Sequence, residues 1–267
     1  MPFIQRELIN FYTFENLNAA GVKHAVFTRH NGVSPPPWDS LNFGSLVGDD
    51  PARVTENYRR AFKALECQLE SVYDAWQVHG TNVVFVEKPR SGAPHEKADI
   101  LLTDSPKITL LMRFADCVPI LLYDPRKRII GLAHAGWLGT VQRVAGVAVQ
   151  AMVEHYGSDP AHIIAALGPS IGPDAYEIGP DVVAMVQDTY GSSPDTIERI
   201  LYKSNNSNYL DLWTANKITL KNSGVQDIEV AGICTASNIN DWYSHRGEYG
   251  KTGRFGVLLA LFDNDVM

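Results

Sequence analysis

Three cysteines among 267 residues, Cys67, Cys117 and Cys234, are too few for a disulfide framework, and no two of them form a Cys-x-x-Cys pair. A reducing compartment, the cytoplasm, suits such a chain. Long apolar runs are missing too. Nothing approaches the roughly 20 consecutive apolar residues that span a bilayer. The opening residues, Met1 to Glu7, carry no basic stretch ahead of an apolar core, so no secretory leader is expected. Basic charge is scarce: 23 Lys and Arg stand against 30 Asp and Glu, a formal net charge of -7. That balance excludes a basic nucleic-acid footprint and disfavours an anionic membrane surface. Internal repeats and low-complexity tracts are absent. What is present is a chain 45% hydrophobic, enough for a large core, read here as one domain over residues 1–267.

Strands and helices alternate irregularly along it. Pro51 to about Leu65 predicts a helix, with Asp49 or Asp50 as cap and proline in the first turn. Strands are expected at Val83–Val86, Ile108–Met112, Pro119–Tyr123 and Ile129–Ala133, with a hairpin turn at Asp124–Lys127. Val141, Val144, Val147, Ala148, Ala151 and Met152 recur at helical spacing, and Gly157 ends that helix. Ile163–Leu167 reads as a buried strand. Helices Pro180–Tyr190 and Leu212–Asn222 and strands Ile228–Ile233 and Phe255–Phe262 complete the reading. Hairpins mixed with helices argue for an α+β fold rather than a regular βαβ array.

Three segments carry chemistry: Gln77-Val78-His79-Gly80, Ala115-Asp116-Cys117 and Ala133-His134-Ala135-Gly136-Trp137. Each supplies one metal-binding side chain beside an apolar stretch. Two imidazoles and a thiolate can hold zinc and leave a fourth position open, the catalytic rather than the structural pattern. The bland reading is three unrelated residues, since cysteine is often a small buried hydrophobe. Imidazole mixed with a single thiolate, with no Met-rich or His-x-His cluster, favours Zn2+ over Cu2+.

These segments belong to a longer ordered set: Thr28-Arg29, Gly32-Val33-Ser34, Ser40-Leu41-Asn42, Val47-Gly48-Asp49-Asp50, Ala98-Asp99, Gly168-Pro169-Ser170-Ile171-Gly172, Tyr176-Glu177, Asp211-Leu212, Cys234-Thr235 and Thr252-Gly253-Arg254. In that order, and over nearly the whole chain, the sequence resembles the YfiH/YlmD family, long named multicopper polyphenol oxidoreductases with a laccase domain. The resemblance implies a four-layer α/β/β/α sandwich with mixed sheets, shared with the catalytic domain of cytotoxic necrotizing factor toxins. It implies metal ligation by His79, Cys117 and His134. It also implies phosphorolysis of adenosine, inosine, guanosine and methylthioadenosine, with adenosine deamination alongside. Two positions depart from the family pattern: Leu138 stands where arginine is usual, and Asp174-Ala175 where a cysteine pair is frequent.

The catalytic candidates are therefore Cys117, His79, His134 and Asp116. The substrate and phosphate candidates are Arg29, Asn42, Gln77, Arg246 and the Gly136–Thr140 helix start, whose amides would form an anion nest. Arg113 is a third arginine to consider. Asp116, read as part of an extended segment, points away from its neighbour Cys117 and is not expected as a fourth ligand. Asp99, Asp116 and Glu177 are the candidate general acids. Trp76, Phe114, Trp137 and Tyr243 are candidate purine platforms, with core packing as the default for each. His245, beside Arg246, is the one further histidine singled out. The expected partners are a purine nucleoside and phosphate. The rival readings are a copper polyphenol oxidase, a Cys–His hydrolase or amidase acting in peptidoglycan-precursor editing, and a non-catalytic binding protein with a structural metal.

Overall fold

A computed structural model describes residues 2–191 and 193–262. Its first stretch holds β1 (Phe3–Arg6), β2 (Ile9–Tyr12), α1 (Glu15–Ala19), β3 (Lys23–Phe27) and α2 (Pro51–Ala64). Then come β4 (Val72–Asp74), β5 (Val83–Phe85), β6 (Ile100–Thr103), β7 (Thr109–Phe114), β8 (Val118–Asp124) and β9 (Ile129–Ala135). The middle adds α3 (Trp137–Val141), α4 (Val144–Tyr156), β10 (Ile164–Leu167), β11 (Glu177–Ile178), α5 (Pro180–Tyr190) and α6 (Pro194–Ile200). The last described elements are β12 (Leu201–Ser204), β13 (Ser207–Leu210), α7 (Leu212–Asn222), β14 (Asp227–Val230) and β15 (Phe255–Ala260).

Alternation along the strands sets the layers. In β8, Val118, Ile120 and Leu122 pack with α4, α5 and α7, while Leu121 and Tyr123 face the other way. There they meet Leu110, Met112, Val257 and Leu259 of β7 and β15. The outer face of that second sheet, through Phe11, Phe27, Leu111 and Leu258, packs on Ala61 and Phe62 of α2. The result is helices, sheet, sheet, helix: the four-layer α/β/β/α sandwich with mixed sheets. One sheet runs β1-β2-β3-β15-β7-β4, the other β14-β10-β8-β9-β6-β5. A small sheet, β11-β13-β12, lies outside both.

Several expectations need correction at their edges. The helix read through Val141 is two helices, α3 and α4, because Arg143 takes a left-handed backbone (φ 59°) between them. Gly157 does end α4 in that conformation (φ 67°). The strand expected to Ile233 stops at Val230, after which Ala231 bonds to Leu167 O and Gly232 turns the chain at φ 63°. Asp50 caps α2 through Ala52 N (2.8 Å). Asp49 is instead buried, accepting from Ser34 Oγ and Asn42 Nδ2. Strands β1 to β4, β6 and β11 to β13, with α1 and α6, were not foreseen from periodicity.

Candidate metal centre and its cavity

Asp99 organises the donor side. It precedes β6, is fully buried and accepts four hydrogen bonds. The amides of Val78, His79 and Gly80 donate to it at 3.1, 3.0 and 2.8 Å, wrapping the turn that presents His79. His79 itself has a left-handed backbone, φ 62°, which that wrapping holds in place. The fourth bond comes from His134 Nδ1, at 2.8 Å. A proton on Nδ1 leaves the Nε2 lone pair for a ligand, the carboxylate–histidine arrangement that fixes a metal-binding tautomer. Burial opposes the charge of Asp99, but the hydrogen bond and charge of His134 and the amides outweigh it and lower its pKa.

His134 lies in β9 opposite Pro119 of β8 and is 3% exposed. Cys117 comes from the short turn between β7 and β8. The donor atoms of His79, Cys117 and His134 all lie within 4.8 Å of one another. Around zinc, bonds of about 2.0–2.3 Å set tetrahedral donors roughly 3.3–3.6 Å apart, so the set needs only a small contraction. Gly136 keeps the space clear: a Cβ there would lie 3.0 Å from both Cys117 Sγ and His79 Cδ2. Donor chemistry, the anchoring carboxylate and the bare glycine all fit a metal. Without one, burial pushes the Cys117 thiol up, but the charge of His134 and the bonds from both imidazoles win and bring it down to about 6. Burial likewise pushes His134 down, and the thiolate and Asp99 raise it to about 9.

Asp116 is not extended. Its φ of 85° makes it the corner of the β7–β8 turn, and its carboxylate is buried on the cavity lining. It accepts from Thr235 Oγ1 (2.7 Å), Ser244 Oγ (2.6 Å) and Arg246 N (2.6 Å). The residue next to the thiolate thus holds the loop that carries His245 and Arg246.

A cavity of about 590 Å³ opens on the donor set, within the range of small-molecule sites. Gln77, Arg246, Trp76, Tyr176, His245 and Arg254 are on its lining. Gln77 clasps β7, donating to Arg113 O (2.8 Å) and accepting from Arg113 N (2.9 Å). Arg113 also lines the cavity, but its guanidinium is neutralised by Asp74 (2.6 Å). Arg246 lies over the Tyr176 ring (5.3 Å) and donates to Glu177 O (2.9 Å). Arg254 donates to the Thr252 and Gly253 carbonyls. Burial lowers its pKa, against the nearby charges of Cys117, Asp116 and Glu248. Neither Arg246 nor Arg254 has a carboxylate within salt-bridge distance among the described residues.

Other candidates fall outside the cavity lining. Arg29 is 8% exposed, paired with Glu248 (2.9 Å), bonded to Asp39 O and Ile239 O, and stacked on Tyr243. Asn42 is fully buried; its Oδ1 accepts from Gly44 N and Arg254 N, so it shapes the wall from behind. Gly136 opens α3, but α3 has five residues, and Thr140 is engaged by Asn216. Leu138 packs against the helix-side core. Glu177 is exposed and bonded to Ser207. Phe114 is core, and Trp137 packs on the helix-side core. Arg254, absent from the anion candidates, had one signal in the sequence, its place in Thr252-Gly253-Arg254.

A family model described as multi-copper polyphenol oxidoreductase laccase matches residues 23–261. A purine nucleoside phosphorylase of Deinococcus radiodurans is 38% identical over 240 residues, 90% of this chain and 89% of that one. The purine nucleoside phosphorylase YlmD of Bacillus subtilis is 34% identical over 264 residues, 95% and 94% of the two chains. Among solved structures, YlmD from Geobacillus stearothermophilus superposes with a TM-score of 0.90 at 33% identity, covering 98% of this chain and 99% of that one. The Bacillus licheniformis protein YfiH gives 0.87 at 31%, covering 97% and 99%.

Proposed function

The chain belongs to the multi-copper polyphenol oxidoreductase laccase family, the family of YfiH and YlmD, and on that premise we propose that it is a zinc-dependent purine nucleoside phosphorylase. The observation that carries the reading is a cavity holding a three-donor metal set together with Arg246 and Arg254, two guanidiniums with no carboxylate partner among the described residues. A phosphate answers that charge, and guanidinium forks bond it at two points. A neutral phenol does not. Among the described residues one such donor group comes together, whereas oxygen reduction by a laccase requires several coppers.

When bound to His79, Cys117 and His134, zinc supplies a Lewis acid with an open position for a substrate oxygen or water. The protein's own residues do the rest. Asp99 holds the His134 tautomer and the His79 turn. Arg254 and Arg246 bind and orient phosphate against the ribose. Asp116 keeps the Arg246 loop in register with the thiolate. The substrates are adenosine, inosine, guanosine and methylthioadenosine, with deamination of adenosine at the same centre. Three free cysteines suit the cytoplasm, and no described helix is long and apolar enough to cross a membrane.

The test is product analysis. Pure protein incubated with inosine yields hypoxanthine and ribose 1-phosphate together, and only when phosphate is present. Hypoxanthine formed equally well without phosphate defeats the reading. A second reading has one observation behind it: the metal-free thiolate–imidazolium pair is also the resting state of a cysteine hydrolase. A covalent substrate adduct on Cys117 would establish that alternative.

A further inference from the structure

Phosphorolysis of a purine nucleoside needs more than a nucleophile. The departing base must be neutralised as the glycosidic bond breaks, as a general acid does for any glycosyl leaving group. The cavity holds several proton carriers, and nearly all are committed. Asp116 accepts three hydrogen bonds. His95 is bonded to Asp74 at 3.0 Å. His79, Cys117 and His134 form the donor set. Tyr176 is taken up as the platform under the Arg246 guanidinium (5.3 Å), and burial raises its hydroxyl still further from the range of a general acid at neutral pH. The arginines do not give theirs up.

His245 is different. It lines the same cavity, and its ring nitrogens have no hydrogen-bond partner among the described residues. Its backbone is nonetheless fixed. On one side Ser244 Oγ donates to Asp116 Oδ1, and on the other Arg246 N donates to Asp116 Oδ2, both at 2.6 Å. The chain then closes through Gly250 N to His245 O (2.8 Å). The ring lies against Gly250, where a Cβ would come within 3.4 Å of Cε1. Two clamps from the residue next to the thiolate, with an unengaged imidazole between them, describe a group held for use.

Building on the phosphorylase reading, we propose that His245 is the general acid that protonates the leaving purine, at N7. In this step the C1′–N9 bond breaks and its electron pair passes into the purine. A phosphate oxygen forms the new bond to C1′. The imidazolium of His245 gives its proton to N7, so hypoxanthine leaves neutral. The proton of hydrogen phosphate, displaced when its oxygen becomes an ester, returns through cavity water to the imidazole.

A nucleoside that needs no proton separates this role from any other. In 7-methylinosine the base is already cationic and leaves neutral without protonation. His245→Gln and His245→Asn should lower kcat for inosine about 10²–10⁴-fold, the usual contribution of a general acid. Both should turn over 7-methylinosine at close to the wild-type rate. His245 is exposed and its ring has no hydrogen-bond partner among the described residues, so both variants should keep the wild-type fold and metal content. Equal losses on the two nucleosides, or no loss on inosine, overturn the proposal while the phosphorylase reading stands. Wild-type protein that makes no ribose 1-phosphate from either nucleoside overturns that reading, and this role with it.

Discussion

The donor side of the cavity and its cation side are fixed in different ways. His134 sits inside a strand paired along both edges, and His79 is wrapped onto a carboxylate with no exposure at all. Arg246 and Arg254 come from the 235–254 segment, which is held by side-chain bonds. Asp116 takes Thr235, Ser244 and Arg246; Glu248 takes Ser244, Thr252 and Arg29. The donor side is a product of sheet register. The cation side is a product of two acids and, at Arg254, of the Asn42 amide oxygen. Damage to one should therefore leave the other in working order, and five measurements test that separation.

The largest effect is at the donors. Cys117→Ala and His134→Ala should each lose the metal and abolish inosine phosphorolysis, read by elemental analysis and product assay. The fold should persist, since a core this size does not depend on metal. Next is the metal-stripped protein. Burial raises the Cys117 pKa and His134 lowers it more, to about 6 from 9.0, so iodoacetamide labelling should rise through about pH 6. At pH 7 that means nearly a hundredfold more thiolate than an unshifted thiol would have. Added zinc should suppress the labelling, with Cys67 and Cys234 as internal references.

Asp99→Asn should weaken metal affinity about 10–100-fold, the usual effect of removing the acceptor behind a ligating histidine. Competition with a chelator measures it. Arg254→Met should raise the phosphate KM about tenfold or more, from the loss of a charged hydrogen bond, with metal content unchanged. If Arg254→Met also loses metal, the two sides are one unit and the separation is wrong. The smallest effect is at Leu138. It packs toward the helices, so Leu138→Arg should leave the phosphate KM unaltered and lower the melting temperature slightly.

The same division governs what the sequence could reveal. The donors were legible because His79, Cys117 and His134 sit at the centre of ordered family motifs, although each residue type alone also has a plain core reading. Helix ends were legible where local chemistry sets them, as at Pro51 behind its Asp50 cap and at Gly157. The four-layer sandwich followed from family resemblance rather than from periodicity, which missed β6, a fully buried strand with no alternation to read. The arginines were not legible. Arg29 and Arg254 both lie in family motifs, and what separates them is a carboxylate 219 residues from Arg29. Asn42 also lies in a family motif; its partners, Gly44 and Arg254, appear only when the chain folds. Asp116 was misread as extended because a left-handed φ on aspartate has no sequence marker beyond the residue itself.

The spread of these residues along the chain also sets a timetable. The ribosome makes the chain from the amino end, and His79, Asp99, Cys117, His134 and Gly136 have all been made by residue 136. Strands β6, β8 and β9, which hold His134 and Asp99 in register, are finished by residue 135. Arg246 and Arg254 come more than a hundred residues later, together with β15, which completes the other sheet. For that interval the three donor side chains exist without Arg246 and Arg254, so the donor half of the cavity lining is synthesised before its cation half.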